Sequence, residues 1–481
     1  MPEQGVVSIP LSKGLIVDPD EVDWLDALPV NLLAVPKTVL ESSGYLRSWP
    51  GLSLQFTTND VARGAVNNVA LNTIFRVQGA ELVDVFGTVL TNVGGTGHAA
   101  MPYSSTTQGI VSANDLNYWD GTTLTQLQNW AEDEFGVGQP ATTFDIGEVL
   151  DAVYENGRYH WIKRGSGEFG VTDLLNEQRP DYLAPFYSAE SGFDENIGIA
   201  KWKKQIVVFG RFTTEFFRAT GVTEPIYRPD NSLTVQAGIV GVGAKAEYYD
   251  NFAIVGGPEN EPASVYLIGQ GQYTELATRR VQKLIRSYTD EELAQTYIEP
   301  IKFDSHDIII IHLLRDTLVY DHAASDDQNR RWTILKSDVS GTLPYRGIYH
   351  IARNNQFTAG DRRDGSVSNF DFTDARHVGE LVEFECFSPM LQAFRNQSLF
   401  DFQVDSVPGY DEDAYRLAFS VTFDGKTYGQ EKWIDFSKPN KRRDRILARR
   451  LGYIRDNVGF KLRWLTRKPS IVSHLRVRPV I

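Results

Sequence analysis

His306 and His312 stand six apart in FDSHDIIIIHLL. On a strand, residues an even number apart share a face. With Asp304 beside them they form a conceivable His/His/carboxylate ligand set. The plainer expectation is two sheet histidines, each hydrogen-bonded to a neighbour. The other six histidines, at 98, 160, 322, 350, 377 and 474, are scattered, with no two-His helical motif. The glycine-rich runs GIVGVGAK (238–245) and GGTGH (94–98) could cradle phosphate only with a helix behind them. Strand-like patterns follow both, so neither is read as a nucleotide site. No Gly-x-Ser-x-Gly elbow is present. The one cysteine, Cys386, excludes a disulfide framework and a four-cysteine zinc site, and LVEFECFSP places it as a small strand residue facing a core. In SVTFDGKTYGQEKW (420–433), Asp424 and Gly425 sit one residue tighter than the Asp-centred turn of sialidase propellers. A type I′ hairpin turn is the expectation there. No catalytic, cofactor-binding or metal set is assigned from these residues.

The elements that would carry such residues are hairpins. Pairs of short strands rich in β-branched and aromatic residues recur at 70–87, 109–127, 150–174, 199–221, 246–272, 301–321 and 348–372. Gly79, Asp120-Gly121, Asn156-Gly157 and Asn354-Asn355 fall where the chain must reverse. The units start about 40 to 50 residues apart, the spacing of β-propeller blades. That predicts an all-β body of six or seven blades over 61–377, with a β-sandwich array as the alternative. One helical excursion interrupts it at about 279–297. Val281, Leu284 and Ile285 fall at helical spacing there, and Thr289 with Glu292 makes a capping box.

Residues 1–60, with prolines at 29, 36 and 50, read as an extended arm of the kind that packs on another element or subunit. After about residue 378 the strands lengthen. In VGFKLRWLT, Val458, Phe460, Leu462 and Trp464 share one face while Lys461 and Arg463 take the other. Residues 378–481 are read as a β-sandwich-like domain joined by the N-terminal arm. The start of the chain shows neither a basic nor an apolar signal region, and the most apolar run, DIIIIHLL, is far too short to span a bilayer.

Charge is unevenly spread. Residues 438–481 hold 14 Lys and Arg against two acids, a formal +12, which leaves −26 of the total −14 on the preceding 437 residues. An acidic body is repelled by phosphate, and only the tail could be drawn to it. Three readings of the tail stay open: a solvated basic face, a nucleic-acid contact, and docking onto an acidic protein surface.

Several long words of this sequence, in order along nearly the whole chain, resemble one family. They include LPVNLLAVPKTVLESSGYLRSWPGL, GRYHWIKRGSGEFGVTDL, AESGFDENIGIAKWKKQIVVFG, PASVYLIGQGQ, KLIRSYTDEELA, IKFDSHDIIIIHL with LVYD, and GFKLRWLTRKP. The family is that of the packaged-DNA stabilization proteins of short-tailed phages, which form the tail hub or nozzle. The resemblance implies a non-enzymatic virion tail protein, assembled in the bacterial host cytoplasm as a homohexameric ring below portal and adaptor. The ring would retain packaged double-stranded DNA and conduct it on ejection. Its implied partners are the adaptor, a tail needle, tailspikes and further copies of itself, with no cofactor and no membrane span. The candidate assembly surface combines Lys441, Arg442, Arg443, Arg445, Arg449, Arg450, Lys461 and Arg463 with Tyr45, Arg47 and Trp49 of the arm. The competing classes are a phage-tail propeller glycan hydrolase, which needs clustered carboxylates, and a glycan-binding adhesin.

Overall fold

A computed structural model of the chain describes residues 7–18, 20–21, 23–37, 44–132, 140–189, 194–326, 329–407, 413–437 and 446–479. Among these, seven antiparallel sheets follow one another as propeller blades. Their inner strands are Ala62–Asn68, Gln108–Ser112, Val149–Glu155, Asn196–Trp202, Lys245–Tyr248, Tyr297–Phe303 and Gly347–Arg353.

The sixth blade shows why such sequences fold this way. Its second strand, His306–His312, pairs on both sides, with Tyr297–Phe303 and with Thr317–Asp321. Both faces are covered by neighbouring blades, so the run is apolar without alternation. Ile309 and Ile311 enter one core, shared with blade five, while Ile308 and Ile310 enter another with Trp49, Tyr345 and Phe370. Two-residue turns with positive φ at both positions close the first hairpin of several blades, as at Asn156 and Gly157 (52° and 79°) and at Asn354 and Asn355 (51° and 62°). Lys203 and Lys204 adopt the same conformation.

Blade seven is completed from the far end of the chain. Gly51–Thr57 pairs antiparallel with Ser366–Asp371 as its outer strand. A Cβ on Gly51 would lie 2.3 Å from the carbonyl oxygen of Asp374, so only glycine lets the strand enter there. This corrects the extent of the arm, since residues 51–57 belong to the propeller. The pairing joins residues some 310 positions apart in sequence, which no local pattern encodes.

The expected helical excursion forms between blades five and six as α1 (Arg279–Arg286) and α2 (Asp290–Leu293). Val281 and Ile285 are buried. The Thr289 hydroxyl accepts from the Glu292 amide, and the Glu292 carboxylate accepts from the Thr289 amide. Lys283 and Arg279 form ion pairs with Asp18, Glu21 and Asp23, so α1 faces the hairpin Leu15–Val17/Trp24–Asp26.

The C-terminal domain is a sandwich built from both chain ends. One sheet runs Leu32–Val35, Tyr45–Ser48, Ile471–Pro479, Gln397–Val407, Ile446–Ile454, with Val7–Pro10 also paired to Ile471–Pro479. The other runs Glu383–Phe387, Gly459–Leu465, Tyr415–Thr422, Lys432–Ser437. Their inner faces meet in a core where Phe402, Phe419 and Phe460 lie 4.2–5.6 Å apart by ring centroids. Val458, Phe460, Leu462 and Trp464 all point into it, as their alternation requires, and Cys386 is buried beside them. Burial pushes its thiol pKa up, which suits a packing residue.

The Asp424-Gly425 turn differs from expectation. Gly425 has positive φ, at 73°, and Asp424 does not, so the turn is not type I′. Instead the Asp424 carboxylate accepts from the Thr427 hydroxyl and from the amides of Thr427 and Lys426 within a wide loop, and those bonds, the hydroxyl's most, hold its pKa well below the usual range. At its tip the Gly425 carbonyl accepts from the Val17 amide, 2.9 Å away.

Candidate assembly surface and the propeller axis

The candidate surface residues separate into three groups. Lys441, Arg442, Arg443 and Arg445 lie outside the described residues. Arg449 is exposed on Ile446–Ile454, the edge strand of the six-stranded sheet, with Arg450 next to it in the same strand. The rest face inward or bond within the chain. Lys461 pairs with Glu385 at 2.6 Å, and Arg463 reaches Glu383 and Glu431, both at 2.7 Å. Those carboxylates raise the Arg463 pKa, Glu431 most, against the opposing effect of burial. Tyr45 lies half-buried in the arm strand opposite Val35, and Arg47 forms an ion pair with Asp304 in the first turn of blade six.

Trp49 is only 1% exposed and packs edge-on against Phe303, Tyr345 and Phe370 at 5.6–5.9 Å. It is therefore a core residue of the propeller, not a surface residue. A large indole on an extended arm looks free in sequence because its three partners come from elsewhere along the chain.

The arm welds the two domains together. Val30 bridges Ile334 on the outer strand of blade six and Glu385 on the first sandwich strand, so one ladder runs from blade to sandwich. Asn31 donates to the carbonyls of Lys336 and Glu383 from the same place. Beside this seam lies a cavity of about 550 Å³ lined by Asp26, Leu28, Arg331 and Trp332. Burial raises the Asp26 pKa and lowers that of Arg331.

Side chains from non-adjacent blades meet at the propeller axis. Lys245 of blade five donates to Asp151 of blade three at 2.7 Å, and the same carboxylate oxygen accepts from the Ile199 amide of blade four. His98, between blades one and two, lies 5.2 Å from the Tyr297 ring of blade six and hydrogen-bonds the Tyr349 hydroxyl of blade seven.

The conceivable ligand set of His306, His312 and Asp304 does not form; each histidine bonds a neighbour of its own, as the plainer expectation has it. His306 hydrogen-bonds Asp321 at 2.5 Å. His312 bonds Glu299 at 2.7 Å, and His350 of the next blade bonds the same carboxylate oxygen at 2.7 Å. Asp304 is occupied by Arg47. Shared parity put both histidines on one face, as read, but the six-residue rise separates them. Glu299 and His350 carry no spacing signal, since they come from the first strands of two successive blades.

These features define a propeller–sandwich protein whose described polar clusters tie blades and domains to one another. The chain belongs to the family described as bacteriophage P22 Gp10: the model of that family's β-propeller matches residues 7–375, and that of its β-sandwich matches residues 383–479. The tail hub protein gp10 of Salmonella phage P22 is 38% identical over 478 residues, 98% of this chain and 99% of the relative. Among solved structures, the Pan2 WD40 domain of Neurospora crassa is 9% identical, with a TM-score of 0.37 over 67% of this chain and 89% of that one. An exo-β-1,3-galactanase of Phanerochaete chrysosporium is 8% identical, with a TM-score of 0.29 over 83% and 99%. Likenesses this loose carry no functional argument.

Proposed function

We propose that this chain is a tail hub subunit of a short-tailed phage virion, a structural protein and not an enzyme. The observation that carries the reading is the 38% identity to the P22 tail hub protein across essentially the whole of both chains. In this reading, copies of the chain form a ring, taken to be a hexamer, attached through the adaptor to the portal, with needle and tailspikes as further partners. The ring closes over packaged DNA and conducts it on ejection.

The conduit is formed between copies and not through one propeller. The Asp151–Lys245 and His98–Tyr297 contacts leave no room at the axis for a duplex whose major groove alone is about 12 Å wide. A wall that must later let DNA slide is expected to be acidic or neutral, because each phosphate-neutralising cation strengthens binding. The −26 carried ahead of residue 438 supports this. The basic tail then serves protein–protein docking on the portal side, with Arg449 and Arg450 of the edge strand joined by Arg442 and Arg443.

The test mixes purified protein with portal and adaptor and images the products by electron microscopy. Wild type is expected to form rings on the portal–adaptor complex. The variant with Arg442, Arg443, Arg449 and Arg450 all changed to Glu should stay folded and fail to attach. Normal attachment of that variant overturns the docking assignment, and failure of the wild type to attach overturns the hub reading.

A further inference from the structure

We infer that Glu299, His312 and His350 form a divalent transition-metal site that clamps blade six to blade seven. Nε2 of His312 and Nδ1 of His350 approach the same Glu299 oxygen, Oε1, at 2.7 Å each, and the three donor groups lie within 4.8 Å of one another. Two imidazoles and one carboxylate are a donor set that suits zinc and its first-row neighbours, with a fourth position left for water.

The surroundings fit a cation. The Glu299 side chain is 6% exposed, and among the described residues no Lys or Arg lies within ion-pair distance of it. A buried carboxylate without such a partner is costly unless hydrogen bonds or a cation compensate it. Arg76 is close enough to feel the charge, but its guanidinium donates to the Tyr349 carbonyl and the Thr358 hydroxyl. The other carboxylate oxygen accepts the His350 amide at 2.7 Å, which fixes the group's orientation as an outer-shell bond does in metal sites. The two rings lie nearly parallel, 16° apart with centroids 6.3 Å from each other.

Metal–ligand bonds of about 2.0–2.1 Å place neighbouring donors a little over 3 Å apart, so occupation opens the 2.7 Å contacts by roughly half an ångström. No proton need leave the imidazoles. Each ring hydrogen moves to the far nitrogen: in His350 to Nε2, which lies 3.4 Å from the Tyr345 hydroxyl, and in His312 to Nδ1, which is buried with no partner among the described residues. The site would then tie together the inner strands Tyr297–Phe303 and Gly347–Arg353 at the blade that Gly51–Thr57 completes.

The test uses the full chain, stripped with chelator and desalted. Titration with cobalt(II) chloride should give the visible absorption bands of a four-coordinate site, saturating at one equivalent, and zinc chloride should displace them. Glu299→Gln and His350→Gln should each weaken cobalt binding at least about tenfold, the scale on which even outer-shell changes act. Zinc should raise the melting temperature of wild type only. The wild-type titration decides the matter even if both variants fail to fold. Absent cobalt bands, together with no zinc retained when the zinc-loaded protein is desalted, overturn the proposal and leave a hydrogen-bonded hub. Unchanged affinity in a folded Glu299→Gln variant overturns it as well.

Discussion

The propeller and the sandwich are both antiparallel β structures, but the chain makes them in opposite ways. Each propeller blade is a run of strands consecutive in sequence, and only the outer strand of blade seven comes from afar. The sandwich places Val7–Pro10 and Tyr45–Ser48 on the same strand, Ile471–Pro479, so neither chain end can pack without the other. Some of their buried histidines differ as well. Beside its ion pairs, the propeller side buries two histidines against hydroxyls: His160 bonds the Tyr227 hydroxyl, His377 bonds Ser337, and burial lowers both pKa values to about 3. In the sandwich, His474 and Arg476 both lie against the Asp405 carboxylate. The two desolvated histidines predict a propeller that loses stability in acid, whereas assembly from both chain ends predicts a sandwich sensitive to truncation.

The largest effect that tests this contrast is deletion of residues 1–57. It removes three strands of the six-stranded sheet and the closing strand of blade seven. The loss should exceed the typical ~5–15 kcal/mol of total stability and yield insoluble protein on expression. Soluble, cooperatively folding product would break the comparison. Trp49→Ala should cost about 3–5 kcal/mol in urea unfolding, because its cavity opens where arm and two blades meet.

Acid comes next. A histidine whose folded pKa lies below its unfolded value withdraws stability as pH falls from about 6.5 toward the folded value. The loss for each of His160 and His377 is at most about 1.4 kcal/mol per pH unit. Asp405 behaves differently. Burial raises its pKa, but hydrogen bonding and charge from His474 and Arg476 outweigh that and leave it lowered. Its contribution is therefore present above about pH 4 and is lost only as pH falls through the depressed value. Hydrogen exchange between pH 7 and 4 should show the propeller opening before the sandwich, and His160→Gln should flatten the slope. Arg463→Ala should cost about 1–2 kcal/mol by leaving Glu383 buried without its partner. Arg449→Ala, on an exposed edge, should fall within about 0.5 kcal/mol of wild type, and its effect should appear in ring attachment alone.

How legible each region was in sequence follows from that contrast. Hairpins could be read because their turns and alternation are local: Asn354-Asn355 and the Thr289/Glu292 capping box formed as expected. The face of Val458, Phe460, Leu462 and Trp464 was legible for the same reason. Partners across long stretches were not. Trp49 looked like a surface anchor because Phe303, Tyr345 and Phe370 are at least 250 residues away. Lys461 and Arg463 counted toward a free basic patch until Glu385, Glu383 and Glu431 were seen opposite them. Strand parity could group His306 with His312, but strand pairing within blade six brings Glu299 to His312, and only the stacking of blade seven brings His350 to both.

The dependence of the first strands on the last has a consequence for synthesis. At about 5–20 residues per second, Val7–Pro10 leaves the ribosome roughly 20 to 90 s before Ile471–Pro479 exists to receive it. Gly51–Thr57 waits in the same way for Ser366–Asp371. A chain that stops before residue 366 therefore lacks the closing pair of the propeller, and one that stops before residue 471 still lacks the central strand of the sandwich, so completion of the last strand acts as a length check. Only a chain that includes both ends can present the folded sandwich with its edge strand Ile446–Ile454.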